Sequence, residues 1–267
     1  MTKQGVDVSK WQGTIDWIKA KESGVEFAIL RSGYGKENPN QKDKTFETNY
    51  AGCKSAGIPV GTYHYSYSDS ISDAKLEAQF CLKNIEGKQF EYPIIFDIED
   101  KEMLKLSMQA RTDICTAFCE TIENAGYYAM IYCSEDWFLN KLKGEELAKR
   151  FDFWIAQWGS QLPFRECGIW QKSDSGSING ISGNVDLNIS YNDYPTIIKN
   201  KGLNGLGSGS AATPLPTYKT YTVVKGDSLW SIAQKQMGDG TKWKQIYDLN
   251  SLKSDVIYPT QVLKIPN

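Results

Sequence analysis

Asp97 and Glu99 stand two residues apart at the end of an apolar run, Pro93-Ile94-Ile95-Phe96. On a strand, side chains two apart point the same way. Two strand rises would separate their Cα atoms by about 6.6 Å. Like charges held that close resist joint ionisation, so one carboxyl is pushed toward being a proton donor near neutral pH. A general acid beside a persistent anion is what cleavage of a glycosidic bond needs. Solvated acids at a strand end are the bland alternative, and other residues must choose between the two.

The elements that would position this pair follow from hydrophobic patterning. Strand candidates are 5–8, 26–31, 59–66, 93–98, 129–133, 153–157, 168–171 and 184–189. Helical patterns separate the first six. The clearest spans about 107–125, with Ile114, Phe118, Ile122 and Ala125 on one stripe and Gly126 as a stop signal. Another follows Ser70 and carries Ala74, Phe80, Cys81 and Ile85. Eight strands with early helices and a helix-poor end predict an α/β fold, an irregular β/α barrel of eight strands and about five helices; an open doubly wound sheet is the alternative. A barrel demands polar groups at its strand ends. Asp7 falls on strand one, Arg31 on two, Tyr63 and Tyr65 on three, Tyr132 on five, Gln157 and Trp158 on six, Trp170 and Gln171 on seven, and Asp186 on eight. Each alone has a structural reading, Arg31 as an ion-pair partner for example. Together they outline a carboxylate-lined, aromatic-walled cleft suited to carbohydrate.

Composition narrows the classes. A net charge of −2 gives no case for nucleic acid, and no apolar run approaches membrane-spanning length. Cys53, Cys81, Cys115, Cys119, Cys133 and Cys167 form no CxxC pair, and His64 is the sole histidine. Buried free thiols from a reducing compartment are expected, with no metal and no cofactor. A Ser-His-Asp hydrolase would have to use His64, and no G-x-S-x-G elbow accompanies it. The stretch Met1–Gly5 leads straight into a strand with no apolar signal region, so export by the usual signal route is not expected.

Seven ordered segments carry a resemblance. They are Gly5-Val6-Asp7-Val8-Ser9-Lys10-Trp11-Gln12-Gly13, Ala28-Ile29-Leu30-Arg31-Ser32-Gly33-Tyr34-Gly35, Gly61-Thr62-Tyr63-His64-Tyr65, Phe96-Asp97-Ile98-Glu99, Trp154-Ile155-Ala156-Gln157-Trp158, Ile169-Trp170-Gln171 and Val185-Asp186-Leu187-Asn188. In this order they resemble the family 25 glycoside hydrolases, lysozymes often called muramidases. The resemblance implies cleavage of the β-1,4 bond between N-acetylmuramic acid and N-acetylglucosamine in bacterial peptidoglycan. It implies Glu99 as general acid, Asp97 as the carboxylate that manages the substrate acetamido group, and Asp7 and Asp186 as acids on the cleft floor. Arg31, Tyr34, Tyr63, Tyr65, Tyr132, Gln157, Trp158, Trp170 and Gln171 match sugar-contacting positions.

Residues 200–217 are rich in Gly and Ser, then Pro, and read as a linker between a domain at 1–199 and one at 218–267. The second has seven lysines and four acids, a net +3. A strand at 221–224, helices from Leu229 and over 243–249, and a strand at 261–265 predict a β-α-α-β unit, with Trp230, Ile232, Ile246 and Leu249 in its core. Asp227 or Ser228 suits the first N-cap. Gly226-Asp227-Ser228-Leu229-Trp230-Ser231-Ile232-Ala233 and the Asn250 to Ile257-Tyr258-Pro259 stretch resemble LysM, a wall-binding domain. That implies a groove for N-acetylglucosamine-containing glycan between Gly226, Asp227, Ser228, Leu229 and Ile257, Tyr258.

The expected function is thus peptidoglycan hydrolysis tethered to the wall. A wall hydrolase with free thiols and no signal region is expected to be a phage endolysin, made in the host cytoplasm and acting on the wall after release, with a bacterial autolysin exported another way as the alternative. A β-N-acetylglucosaminidase or chitinase, and a non-catalytic wall binder, are the alternatives; the chitinase D-x-x-D-x-D-x-E pattern is absent, since position 92 is Tyr and position 95 is Ile.

Overall fold

The structure is a computed structural model that describes residues 2–36, 38–159, 167–207, 218–250, 252 and 254–266. Most of the expected linker, 208–217, lies outside the described residues. The chain divides into two compact units, Met1–Thr213 and Pro214–Asn267.

Eight strands close the first unit into a barrel in sequence order: β1 (Lys3–Val8), β2 (Phe27–Tyr34), β3 (Val60–Tyr65), β4 (Ile94–Asp97), β5 (Ala129–Ser134), β6 (Asp152–Ala156), β7 (Ile169–Gly176) and β8 (Val185–Ser190). Neighbours from β1 to β7 run parallel. β8 runs antiparallel to both β7 and β1. The expectation of an irregular barrel is met, and the reversal supplies the irregularity. The β7–β8 connection is too short for the crossover helix that a parallel pair requires, so the chain turns back instead.

Helices α1 (Trp17–Glu22), α2 (Phe46–Ala56), α3 (Ile71–Ile85), α4 (Met108–Asn124), α5 (Gly144–Leu147) and α6 (Tyr194–Asn200) accompany the strands. α4 shows why they form where they do. The Ser107 hydroxyl accepts the Ala110 N–H as N-cap, Ile114, Phe118 and Ile122 are buried, and Gly126 adopts φ 83° just past the end. Between α3, α4 and the sheet, Phe118 stacks on Phe96 at 4.3 Å between ring centroids and on His64 at 5.8 Å.

The barrel interior is filled by Phe27, Ile29, Tyr92, Ile95, Met130, Trp154 and Ile169, with Tyr194 and Ile198 of α6 below. Phe27 and Tyr92 stack at 4.4 Å. Buried Asn204 seals the floor. Its side chain accepts the Tyr128 N–H at 2.7 Å and donates to the Tyr92 carbonyl at 2.9 Å, while its backbone holds φ 56°, a conformation Asn tolerates better than most residues.

The second unit pairs β9 (Tyr218–Thr222) antiparallel with β10 (Val262–Pro266) and packs α7 (Leu229–Met237) and α8 (Trp243–Leu249) on them. The β-α-α-β order is as expected, with β9 beginning three residues early. Ser228 is the N-cap of α7, in a reciprocal box with Ser231. Two core assignments need correction. Trp230 is 55% exposed, lying across Gly240 rather than inside the core. Leu249 is half-buried. Ile232 and Ile246 are fully buried, together with Val223, Leu229, Leu263 and Ile265.

Candidate active site

Asp7 lies one residue before the end of β1 and is paired in register with Asp186 on β8. Because β8 is reversed, Asp186 near its start reaches the same barrel mouth as residues at the ends of the other strands. Asp97 is the last residue of β4, and Glu99 follows two residues on. Three strands thus bring four carboxyls to one mouth.

Asp7 is buried. One of its oxygens accepts both the Gln171 amide at 3.0 Å and the Asn188 amide at 2.8 Å. Burial pushes its carboxyl well above the usual range, and Asp186 opposite adds to the rise. Burial raises Asp186 as well, opposed by its hydrogen bond with Asp7. The pair therefore resists joint ionisation. Asp97 is also raised well above its ordinary value, first by burial, then by the charges of Glu99 and Asp7, with Arg31 opposing. Its Oδ1 is buried with no hydrogen-bond partner among the described residues. A Glu99 oxygen accepts the Ser134 N–H at 2.7 Å.

The remaining expected residues distribute around this floor. Arg31 is half-buried and pairs with buried Asp43, its Nη2 2.7 Å and its Nε 2.8 Å from one oxygen. Burial alone would raise Asp43, but bonds from Thr45, Lys10 and Arg31 hold it below the usual carboxylate range. A register shift between Arg31 and Gly33 marks a bulge in β2. Gly33 is required there, because a Cβ would come within 2.8 Å of the Gln41 carbonyl. Tyr34 faces the Arg31 guanidinium at 5.7 Å and meets Tyr67 edge-on at 6.1 Å. Tyr63 packs edge-on against Trp154. The Tyr65 hydroxyl donates to Asp100 at 3.3 Å.

On the far side of the barrel, Gln171 gathers three partners. Its Oε1 accepts from the Tyr132 hydroxyl at 3.0 Å and the Trp158 indole at 3.1 Å, while its amide reaches Asp7. Trp158 remains 58% exposed, so its ring can meet a sugar. Trp170 is buried and donates to the Gln157 carbonyl at 2.7 Å, bracing the backbone that carries Trp158. Gln157 Oε1 has no partner among the described residues. In an eight-strand barrel, strands four apart face each other. Tyr34 and Tyr65, at the ends of β2 and β3, therefore lie across the mouth from β6 and β7, after the first of which exposed Trp158 follows.

Asn188, Trp154, Asp43 and Ser134 belong to this network and were not singled out from sequence. The Trp154 indole donates to Asn188 at 2.8 Å, which fixes the Asn188 amide toward Asp7. Asn188 lies two residues past Asp186 on a strand, so period-two patterning could have found it. His64 is buried and neutral, its pKa pushed down to about 3 by burial, and its Nε2 lies 2.9 Å from the Gly35 carbonyl. It belongs to the core rather than to the mouth. All six cysteines are free and buried.

In the second unit, Asp227 accepts the Tyr221 hydroxyl and the Val224 N–H, both at 2.9 Å, and so shapes the turn at Gly226, which has φ 95°. Leu229 is buried in the core, so only its backbone can face a ligand. Ile257 is half-buried and Tyr258 is 67% exposed.

A closed barrel with carboxyls and aromatic walls at one mouth defines a glycosidase-type site. Residues 6–181 match the family model for Glycosyl hydrolases family 25, and residues 221–266 match the LysM domain. The chain belongs to glycosyl hydrolase family 25 and carries a C-terminal LysM domain. Among curated relatives it is 31% identical to Lysozyme M1 of Streptomyces globisporus and 30% identical to an autolytic lysozyme of Clostridium acetobutylicum, over 69% of this chain in each case. It spans 66% and 54% of those two proteins. Among solved structures it is similar to a bacterial lysozyme from Streptomyces coelicolor (TM-score 0.65, 26% identity, 77% of this chain and 98% of that one). The CTP1L endolysin is similar too (TM-score 0.65, 25% identity, 74% and 70%).

Proposed function

We propose that this protein hydrolyses peptidoglycan at the β-1,4 bond from N-acetylmuramic acid to N-acetylglucosamine. The observation that carries the reading is the Asp97 oxygen, buried at the mouth beside Glu99 and without a partner among the described residues. A substrate acetamido N–H would supply the missing donor and favour the anion on Asp97. So held, the acetamido oxygen attacks the anomeric carbon as Glu99 gives its proton to the departing glycosidic oxygen. The Ser134 N–H occupies one Glu99 oxygen and leaves the other for that proton. Water then opens the cyclic intermediate as Glu99 takes a proton back, with net retention. Asp7 and Asp186, each raised by burial, set the polarity of the floor. Arg31, Tyr34, Tyr63, Tyr65, Tyr132, Gln157, Trp158, Trp170 and Gln171 line or brace the groove.

A division into catalytic barrel, linker and glycan-binding module completes the reading; the expected barrel end at 199 moves past Leu203, Asn204 and Leu206, which pack on or bond to the barrel core. The LysM module holds N-acetylglucosamine-containing glycan near Gly226–Leu229 and Ile257–Tyr258 and raises the local concentration of the barrel at the wall. The likeness to an endolysin and the buried free thiols support a phage lysis enzyme made in a reducing cytoplasm.

Digestion of defined peptidoglycan with mass analysis of the fragments tests the reaction. Muramic acid at the new reducing ends is expected. N-acetylglucosamine ends would make the protein a glucosaminidase, and no new ends would make it a non-catalytic wall binder.

A further inference from the structure

The turn after β1 presents its largest side chain to solvent. Trp11 is 74% exposed, the most exposed of the large apolar residues described. The turn beneath it is fixed at every residue. The Ser9 hydroxyl accepts the Trp11 N–H at 3.4 Å, and the Gln12 side chain accepts the Ser9 N–H at 2.9 Å. Two neighbouring loops hold the turn in place, the one carrying Asp43 and the one leading into β8. The Lys10 N–H donates to Asp43 at 3.1 Å, on the same oxygen that takes Arg31. The Gln12 amide reaches the Asn184 carbonyl at 3.4 Å, two residues before Asp186. The turn thus stands at the catalytic mouth, tied to both the Arg31 and the Asp186 sides. A backbone held this firmly keeps the indole at the rim, so less ordering is left for a ligand that covers it.

The Lys10 ammonium lies 4.6 Å from the Trp11 ring centroid. Lys3, Lys19, Lys36 and Lys42 each meet a carboxylate. Lys10 has no carboxylate partner among the described residues. An aromatic face beside an uncompensated cation suits a ligand with an apolar ring face and a nearby anion.

We propose that Trp11 and Lys10 form a substrate subsite at the rim, the indole covering a pyranose face and the ammonium pairing with a carboxylate of the peptide stem on a muramyl residue. The assignment rests on the peptidoglycan reading above and adds to it a basis for preferring stem-bearing glycan over neutral glycan.

Peptidoglycan with its free carboxyls capped as amides, by carbodiimide and ammonia, provides the neutral control. Wild-type enzyme should show a kcat/KM about two- to five-fold lower on amidated than on native wall at low salt, the range for an exposed ion pair. Lys10→Gln should lose the same factor on native wall through KM and become indifferent to amidation. Lys10→Arg should retain the preference. Trp11→Ala should raise KM at least about three-fold on both substrates, as expected for a lost aromatic contact. Release of muramic acid ends by wild type is scored separately, and its absence would sink the peptidoglycan reading itself. With release intact, a Lys10→Gln enzyme that keeps the wild-type preference, or a Trp11→Ala enzyme with unchanged KM, would overturn the subsite.

Discussion

Glu77 sits on α3, facing the sheet, and is 1% exposed. One of its oxygens accepts the Tyr67 N–H at 2.9 Å, and the nearby Ser66 and Ser68 favour its anion. The other has no partner among the described residues. Burial raises its pKa from 4.5 to about 7 despite those bonds, and Asp73 adds to the rise. Between those two values the native state holds a proton that the unfolded chain has released. Stability from this group is therefore fully present below 4.5 and lost as pH rises through 7. The rise from 4.5 to about 7 corresponds to about 3 kcal/mol once both states are ionised. Glu77→Gln keeps the shape and an acceptor for the Tyr67 N–H but cannot ionise. It should match wild type near pH 5 and exceed it by about 1–3 kcal/mol near pH 9. His64, 3.9 Å away, is neutral across this window and does not confuse the result. All six cysteines lie in the barrel unit and are buried, so thiol labelling across a urea series reports that unit alone. A stability difference independent of pH would refute the account.

Glu99→Gln should reduce turnover by three or more orders of magnitude, as loss of the proton donor demands, while circular dichroism and wall binding stay unchanged; near-normal activity would remove Glu99 from its role. Asp97→Asn should cut kcat far more than KM, and equal effects on both would point to simple substrate binding instead. Asn204→Ala should cost about 2–4 kcal/mol in urea unfolding, since it strands the Tyr128 N–H and the Tyr92 carbonyl in the floor. Removing residues 210–267 should slow lysis of whole cells far more than cleavage of soluble fragments; equal rates on cells would end the tethering idea.

Strand positions and the acids they carry were legible because a two-residue period and apolar runs are local properties. The reversal of β8 was not, since direction follows from how a short connection closes the barrel. That reversal is what brings Asp186 to the mouth. Asp43 escaped notice because it lies in a loop and gains its meaning only from Arg31 and Lys10, far away in sequence. Trp154 reads as core from its surroundings, and only the direction of its indole N–H reveals its hold on Asn188. In the LysM module, Trp230 follows the apolar stripe closely enough to be counted inside. The close approach of Gly240 shows that it covers the outside instead.

The reversed strand also has a practical consequence for building with this enzyme. An all-parallel eighth strand would end at the mouth and release the following chain beside the substrate. Here β8 ends at the opposite rim, and α6 and Asn204 carry the chain along the floor to Gly207. Cargo joined at that point departs from the face opposite the carboxyl-bearing mouth. The barrel can therefore be refitted with a different anchoring module, or with a reporter, by cutting after residue 207, with the carboxyl mouth left clear.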